Sequence, residues 1–369
     1  MNSDNIYIGL MSGTSIDAVD AVAARFNKDG IELIDSYSQP MPQELKQQIL
    51  DLCQSPGDSV QLLGETDHKL GKLYAKTSLA LLDKAQLKAG QIAAIGCHGQ
   101  TIRHSAPFKG NIPFSLQIGD ANIVAAETNI AVVADFRRKD MALGGQGAPL
   151  VPAFHQFAFA DKKANRVIVN IGGISNISIL PTNGTCSGFD TGPGNVLMDL
   201  WSQIHIGTCY DNNGDWAASG KPHQSLLQQM KLCDFFSQPA PKSTGRELFN
   251  QHWLNSQLAN FPELAPQDVQ ATLLCLTVET ICEPILNLER PADEVYICGG
   301  GAYNDQLMVK LSEHLPHLNS TDTFGIAPNL VEGCAFAWLA KRRLDQQHGS
   351  LAEVTGAKRQ TILGGLYLP

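Results

Sequence analysis

Arg166–Asn195 reads RVIVNIGGISNISILPTNGTCSGFDTGPGN, and the fold turns on how this stretch is parsed. Val167–Asn170 is a short apolar run of the kind that forms a buried strand. The run breaks at Ile171-Gly172-Gly173 and resumes with Ile174, Asn176 and Ser178 alternating against Ile177 and Ile179. A Pro/Asn/Gly turn follows. Asp190 then sits among Gly188, Gly192, Pro193 and Gly194. Glycines at a strand-to-strand turn let backbone N–H groups approach an anion with no Cβ in the way. One carboxylate inside such a loop is a candidate base or metal partner. An ordinary hairpin with a surface Asp in a turn fits the same letters.

Working outward, 369 residues are enough for two domains. A hydrophobic content of 43% with 17% charged residues fits a well-cored globular chain. The net charge of −9 argues against a nucleic-acid partner or an anionic membrane surface. The nine cysteines form no C-x-x-C pair, so neither zinc nor a disulfide framework is expected, and a reducing cytoplasm is. The N-terminus lacks the basic and apolar regions of a signal peptide. The longest uncharged run, Met141–Ala160, carries Gly144, Gly145, Gly147, Pro149 and Pro152, which argue against a membrane-spanning helix.

Toward the N-terminus, Ile6–Met11, Ile16–Arg25 and Ile31–Tyr37 read as an antiparallel meander whose first corner is Ser12-Gly13-Thr14-Ser15. Helical spacing follows over Pro42–Cys53 and Val60–Lys84. Strands are expected at Ile92–Cys97, Ser115–Gly119 and Ala131–Asp135, with a helix at Asp120–Thr128. The basic, glycine-rich stretch from Asp135 to Pro149 reads as a domain junction. The Arg166–Ile179 hairpin echoes the N-terminal one, which points to a duplication. Further helices are expected over Gly194–His205, Pro222–Phe236, Glu247–Leu258, Pro266–Leu288 and Val331–Arg343, with a strand at Glu294–Cys298. The tail Val354–Leu368 is expected to pack back on the first domain. The domains are then 1–135 with about 345–369, and 136–344.

The nearest approach to a mononucleotide P-loop, Gly64 to Gly71-Lys72-Leu73, has the wrong spacing, and no G-x-G-x-x-G joins a strand to a helix. Three glycine-rich turns after strands remain: Ser12–Ser15, Gly172–Ser175 and Gly299–Gly301. Each alone is a plain turn. Together they supply backbone donors suited to a triphosphate. Asp17 and Asp20 are candidate magnesium ligands, or simply a polar strand face. Lys242-Ser243-Thr244-Gly245-Arg246 is either a helix cap or a phosphate or substrate contact.

Gly9–Asp20 (GLMSGTSIDAVD) resembles the opening motif of the anhydro-N-acetylmuramic acid kinases. Cys97–Thr101 (CHGQT), Gln117–Ala121 (QIGDA), Ala134–Val151 (ADFRRKDMALGGQGAPLV), Asn170–Ile177 (NIGGISNI), Gly188–Asn195 (GFDTGPGN), Lys242–Phe249 (KSTGRELF) and Gly299–Asn304 (GGGAYN) extend the resemblance in order along the chain. It implies a two-domain α/β fold of the actin/hexokinase-like ATPase type, with duplicated ribonuclease-H-like cores. It implies a homodimeric cytoplasmic enzyme of cell-wall recycling and amino-sugar catabolism. That enzyme would use ATP, Mg²⁺ and water to convert 1,6-anhydro-N-acetylmuramate, a small-molecule substrate, into N-acetylmuramate 6-phosphate and ADP.

By the same resemblance Asp190 is the catalytic base. Gly13, Thr14, Ser15, Ile16, Asp17, Ala18, Val19 and Asp20 would bind ATP, with Gly172, Gly173, Gly299, Gly300, Gly301 and Asn304. His98, Gln100, Arg138, Asn176 and Glu332 would contact the sugar, and Asp17 would hold the metal. Two alternatives keep the fold: an ATP-binding clamp without catalysis, and a kinase for a different sugar or for an acetate-type substrate.

Overall fold

The N-terminal meander forms as its alternating apolar residues require. In the computed structural model, which describes residues 5–13, 15–27, 30–54, 59–107 and 110–369, strands β1 (Ile6–Met11), β2 (Ala18–Asn27) and β3 (Gly30–Pro40) pair antiparallel. Strands β4 (Ile92–Cys97) and β7 (Val132–Ala134) add in parallel on the other side of β1. Strands β5 (Gln100–Ser105) and β6 (Phe114–Ile118) form a separate two-stranded sheet.

The second sheet repeats this plan. Strands β8 (Arg166–Ile171), β9 (Ile174–Leu180) and β10 (Ser187–Pro193) are an antiparallel triplet, extended in parallel by β11 (Glu294–Cys298) and β12 (Leu318–Ser320). Strand β13 (Gly365–Tyr367) closes the edge of the first sheet against β7. The sheet orders are β13-β7-β4-β1-β2-β3 and β10-β9-β8-β11-β12. Each contains an antiparallel 3-2-1 meander continued by two parallel strands. The fold is therefore α/β with duplicated ribonuclease-H-like cores, the architecture of the actin/hexokinase-like proteins.

Contacts divide the chain into one unit of residues 1–158 with 330–369 and another of residues 159–329. The first carries helices α1 (Gln43–Gln54), α2 (Val60–Lys84), α3 (Ala121–Thr128), α4 (Arg138–Ala142) and most of α5 (Val151–Phe159). The second carries α6 (Val196–His205), α7 (Asp215–Ala218), α8 (Gln224–Lys231), α9 (Asp234–Ser237), α10 (Gln251–Leu258), α11 (Pro266–Leu286) and α12 (Asp305–Ser312). Helices α13 (Val331–Leu344) and α14 (Ala352–Thr355) return to the first. The expected boundaries after residues 135 and 344 thus fall inside the first unit. Buried Asp140 accepts hydrogen bonds from Thr355 Oγ1 at 2.7 Å and from the Gly147 amide at 2.9 Å, tying the glycine-rich stretch to the C-terminal tail.

Helix α13 is the larger reason. It lies on β1 and β4 with no side chain between: a Cβ on Gly9 would come 1.8 Å from Gly333 O, and one on Gly96 would come 2.0 Å from Phe336 O. Helix α11 is long and apolar enough to cross a bilayer by length and composition. Its Val269, Leu273, Leu276 and Ile281 instead fill the core of the second unit against Val167, Val169 and Ile177 of the sheet.

Substituting Gly96→Ala should therefore cost about 1–3 kcal/mol or more, the usual penalty for overpacking. Gly90→Ala, where a Cβ meets nothing within 4 Å, should stay within about 0.5 kcal/mol of the parent. Urea denaturation midpoints check this; equal midpoints for the two variants would overturn the close-packing account.

Candidate active site

The antiparallel register of the second sheet builds a polar row. Asn170 on β8 lies opposite Asn176 on β9, and Asn176 lies opposite Asp190 on β10. Directly paired residues share a face. The three side chains therefore stand together, opposite the face on which Val169 and Ile177 join the core. Asn176 Oδ1 is buried with no hydrogen-bond partner among the described residues. An orphaned buried acceptor is costly unless a ligand or water meets it.

Asp190 is 5% exposed. The register slips between Asp190 and Gly192, a bulge of the kind that re-aims a side chain. The segment after residue 240 crosses this bulge. The Asp190 amide donates to Lys242 O at 3.1 Å, and the Thr244 amide donates to Asp190 Oδ2 at 2.9 Å. The Lys242 ammonium is itself buried. It donates to Phe235 O and Phe236 O, each at 3.1 Å, and lies 4.7 Å from the Phe235 ring centroid. Burial pushes the Lys242 pKa down, and the negative charge of Asp190 pulls it back up. The helix expected from Glu247 begins instead at Gln251, with Asn250 as its cap at 3.0 Å to the Trp253 amide. Thr244 is thus taken by Asp190, not by a helix end.

The glycine turns gather at the same end of the sheet. A Cβ on Gly301 would strike Ile171 Cγ2 at 2.4 Å, and Gly299, at φ +82°, would strike Asn170 Oδ1 at 2.5 Å. Gly300 is exposed. Gly172 and Gly173 use their carbonyls to hold the start of α6: the amides of Gly194 and Val196 donate to Gly173 O, and that of Asn195 to Gly172 O at 2.8 Å. This turn therefore has a structural role through its carbonyls. Asn304 caps α12 through Oδ1 to the Leu307 amide at 3.0 Å.

In the first unit the opening turn runs Gly13–Ile16, with the Ile16 amide donating to Gly13 O at 3.2 Å. Thr14, expected there, lies outside the described residues. Ser15 is exposed, and among the described residues nothing stands within 4 Å of a Cβ on Gly13. Ile16 holds φ +57°, a strained value for a β-branched residue. Val19 belongs to the core and Ala18 is half-buried. The Asp17 carboxylate is exposed and paired with Lys46 at 2.6 Å, so it is already neutralised. Asp20 is half-buried, and burial raises its pKa against the lowering effect of the Ser38 hydroxyl.

Ser12 Oγ donates to buried Gln100 Oε1 at 2.5 Å. His98 packs on Phe336 with ring centroids 4.6 Å apart and the planes tilted by 45°, and its Nε2 accepts from Arg137 Nη2 at 2.8 Å. The nitrogen that accepts carries no proton, so the proton of the neutral ring is on Nδ1. Burial and then the Arg137 charge hold His98 well below the ordinary histidine range. Arg138, expected at the substrate, is exposed and forks onto Asp135 at 2.5 and 2.8 Å. Arg137 is the arginine that packs onto His98. It also donates to Gly147 O at 2.8 Å. Glu332 opens α13, half-buried beside Gly333. Among the described residues, no group of three or more His, Cys, Asp or Glu side chains is arranged to hold a metal.

A family model described as anhydro-N-acetylmuramic acid kinase matches residues 5–369. The chain belongs to the anhydro-N-acetylmuramic acid kinase family. The enzyme of that name from Shewanella loihica is 51% identical over 368 residues, covering 99% of both chains. The one from Pasteurella multocida is 50% identical over 364 residues, covering 98% of this chain and 96% of its own. The one from Saccharophagus degradans is 48% identical over 370 residues, covering 99% of both. The chain is accordingly an enzyme, a kinase of this family. The polar row and the Asp190 clamp are features of such a kinase.

Three histidines of the first unit resist protonation. Besides His98, burial and Arg137 bring His104 down to about 4, and burial brings His155 down to about 3. Below about pH 6.5 the unfolded chain takes up protons that the folded one refuses. Stability contributed by these groups is whole above that pH and is lost as pH falls toward their folded values. The slope is about 1.4 kcal/mol per pH unit for each fully engaged histidine. Urea midpoints should drop between pH 7 and 5.5, and His155→Leu should flatten the drop. A midpoint constant over that interval would refute it.

Proposed function

We propose that the chain phosphorylates 1,6-anhydro-N-acetylmuramate at O6 with ATP while water opens the anhydro bridge, giving N-acetylmuramate 6-phosphate and ADP. It would act as a cytoplasmic homodimer in cell-wall recycling and amino-sugar catabolism. The observation that carries the reading is the Asp190 carboxylate, buried and oriented by the Thr244 amide within a row of polar side chains. A protein that only bound nucleotide would need no such group.

Asp190 accepts a proton from a water that attacks the anomeric carbon. The bond from that carbon to O6 breaks, and O6 takes the γ-phosphoryl group from ATP, releasing ADP. A base positioned in this way contributes about 10²–10⁴-fold. Asn176, through its orphaned Oδ1, is a contact for a substrate hydroxyl or amide N–H. His98 and Gln100 contact the sugar, and Arg137 holds His98 in place from its Nε2 side. The lactyl carboxylate of the sugar calls for a cation. Exposed Arg138 answers this if it exchanges Asp135 for the ligand. Glu332 remains a substrate contact in this reading.

The exposed Gly300 turn and the open Gly13–Ser15 turn fit phosphate oxygens, with Gly172 and Gly173 close to the first. Mg²⁺ needs few protein carboxylates because it keeps waters and phosphate oxygens. Half-buried Asp20 fits that need, whereas Asp17 is committed to Lys46. Bound with the nucleotide, the ion would neutralise phosphate charge.

The test is purified chain with ATP and the anhydro sugar, following ADP and sugar 6-phosphate. Equimolar formation of both is expected, and ADP without sugar phosphate would sink the proposal. Asp190→Asn should lower kcat by about 10²–10⁴-fold while nucleotide affinity stays near that of the parent. Undiminished turnover would remove Asp190 from the base role.

A further inference from the structure

The mechanism above leaves one buried charge unused. Lys242 is 9% exposed and is held by two main-chain carbonyls and an aromatic ring, not by a carboxylate. A lysine kept in such a place is costly unless its charge has a use. Its backbone carbonyl receives the Asp190 amide, and the residue two places on supplies the amide that fixes the Asp190 carboxylate. The same segment is pressed against the bulge: a Cβ on Gly192 would come 2.7 Å from Phe236 Cε1, and Phe236 stacks on Phe249 at 5.7 Å.

We propose that Lys242 is a positioning residue for the reaction: its ammonium pins the Phe235–Thr244 segment across the β10 bulge, orients the Asp190 carboxylate through the Thr244 amide, and favours its ionised form. The proposal rests on Asp190 being the base. Opposite charge nearby favours a carboxylate over a carboxyl group. Removing the cation should therefore make the base harder to ionise.

Other ionisable groups lie on the elements packed around the bulge. Arg246 and Glu247 lie further along the same segment, and burial raises the Glu247 pKa. Asp234 on α9 is exposed. Glu279 on α11 is taken by Lys231 at 2.7 Å. Strand β9 faces the bulge with Asn176 and Ser178, which do not titrate.

The experiment compares K242M, K242Q and K242R for kcat, for KM of both substrates, and for the pH profile of kcat/KM, with thermal midpoints measured alongside. K242M should lower kcat about 10–100-fold, less than the roughly 10²–10⁴-fold of losing the base itself, and move the acid limb upward by about half to one pH unit. KM for ATP should stay within about threefold, since only the base is misplaced. K242R, which keeps the charge, should restore the limb. K242Q keeps donors for the two carbonyls without charge and should show the shifted limb; it decides the matter if K242M does not fold. An unmoved limb in K242Q, or equal loss in K242Q and K242R with the limb unmoved, overturns the proposal. D190N run in parallel separates the two ideas. Turnover by D190N removes the base itself. An inactive D190N beside a K242Q with the parental profile removes only the role of Lys242.

Discussion

A carboxylate taken out of water must be given donors or it will not stay ionised, and the second unit is arranged around that requirement at Asp190. Its side chain is almost fully buried, yet a backbone amide from a distant segment meets it. A hydrogen bond from a fixed amide to a charged oxygen is worth about 1.5–3 kcal/mol and needs no reorganisation when the charge is used. Several local features follow. The bulge in β10 turns the side chain toward that amide. The segment supplying the amide is pinned by a buried lysine on two carbonyls. The row of asparagines beside it makes this face of the sheet polar, with Asn176 Oδ1 buried and without a hydrogen-bond partner among the described residues.

The same end of the sheet is closed by backbone meeting backbone. Gly301 lets the turn after β11 lie on Ile171, and Gly194 lies so near Gly172 O that a Cβ would come within 2.4 Å. The loops after β8, β10 and β11 therefore share one small region. In the first unit the same principle anchors the chain's end to its beginning. Helix α13 sits on β1 and β4 only because Gly9, Gly96 and Gly333 carry no side chain. The first sheet is thus completed by residues more than 300 positions downstream of its first strand.

Much of this was legible in the letters. Short, nearly continuous apolar runs placed β1, β4 and β11 to the residue, and the long apolar stripe of α11 was readable because Val269, Leu273, Leu276 and Ile281 share one helical face. Strand β5 is not among the expected strands because its Gln-Thr-Ile-Arg-His letters carry little apolar alternation; pairing with β6 makes it a strand. The glycine-rich stretch after Asp135 looked like a linker by composition. It is part of the first unit because Asp140 bonds to Thr355, a contact spanning 215 positions that no local pattern can announce.

The site divides along the same line. Asp190 stood out by itself because a lone acid among glycines has few ordinary uses. Where the two arginines go did not: Arg137 and Arg138 are adjacent letters, and only the packing sends one onto His98 and the other onto half-buried Asp135. Thr244 and Lys242 read equally well as a helix cap, and only the long-range register brings them to Asp190. The sequence alone determined most of the helices, the core strands and the duplicated plan, because these follow from periodicity and residue type over short spans, whereas Asp190, expected in a loop, lies on strand β10. The tertiary structure alone decided which polar groups meet that acid and which charges are already spent, because hydrogen bonds between distant segments depend on where the backbone finally comes to rest.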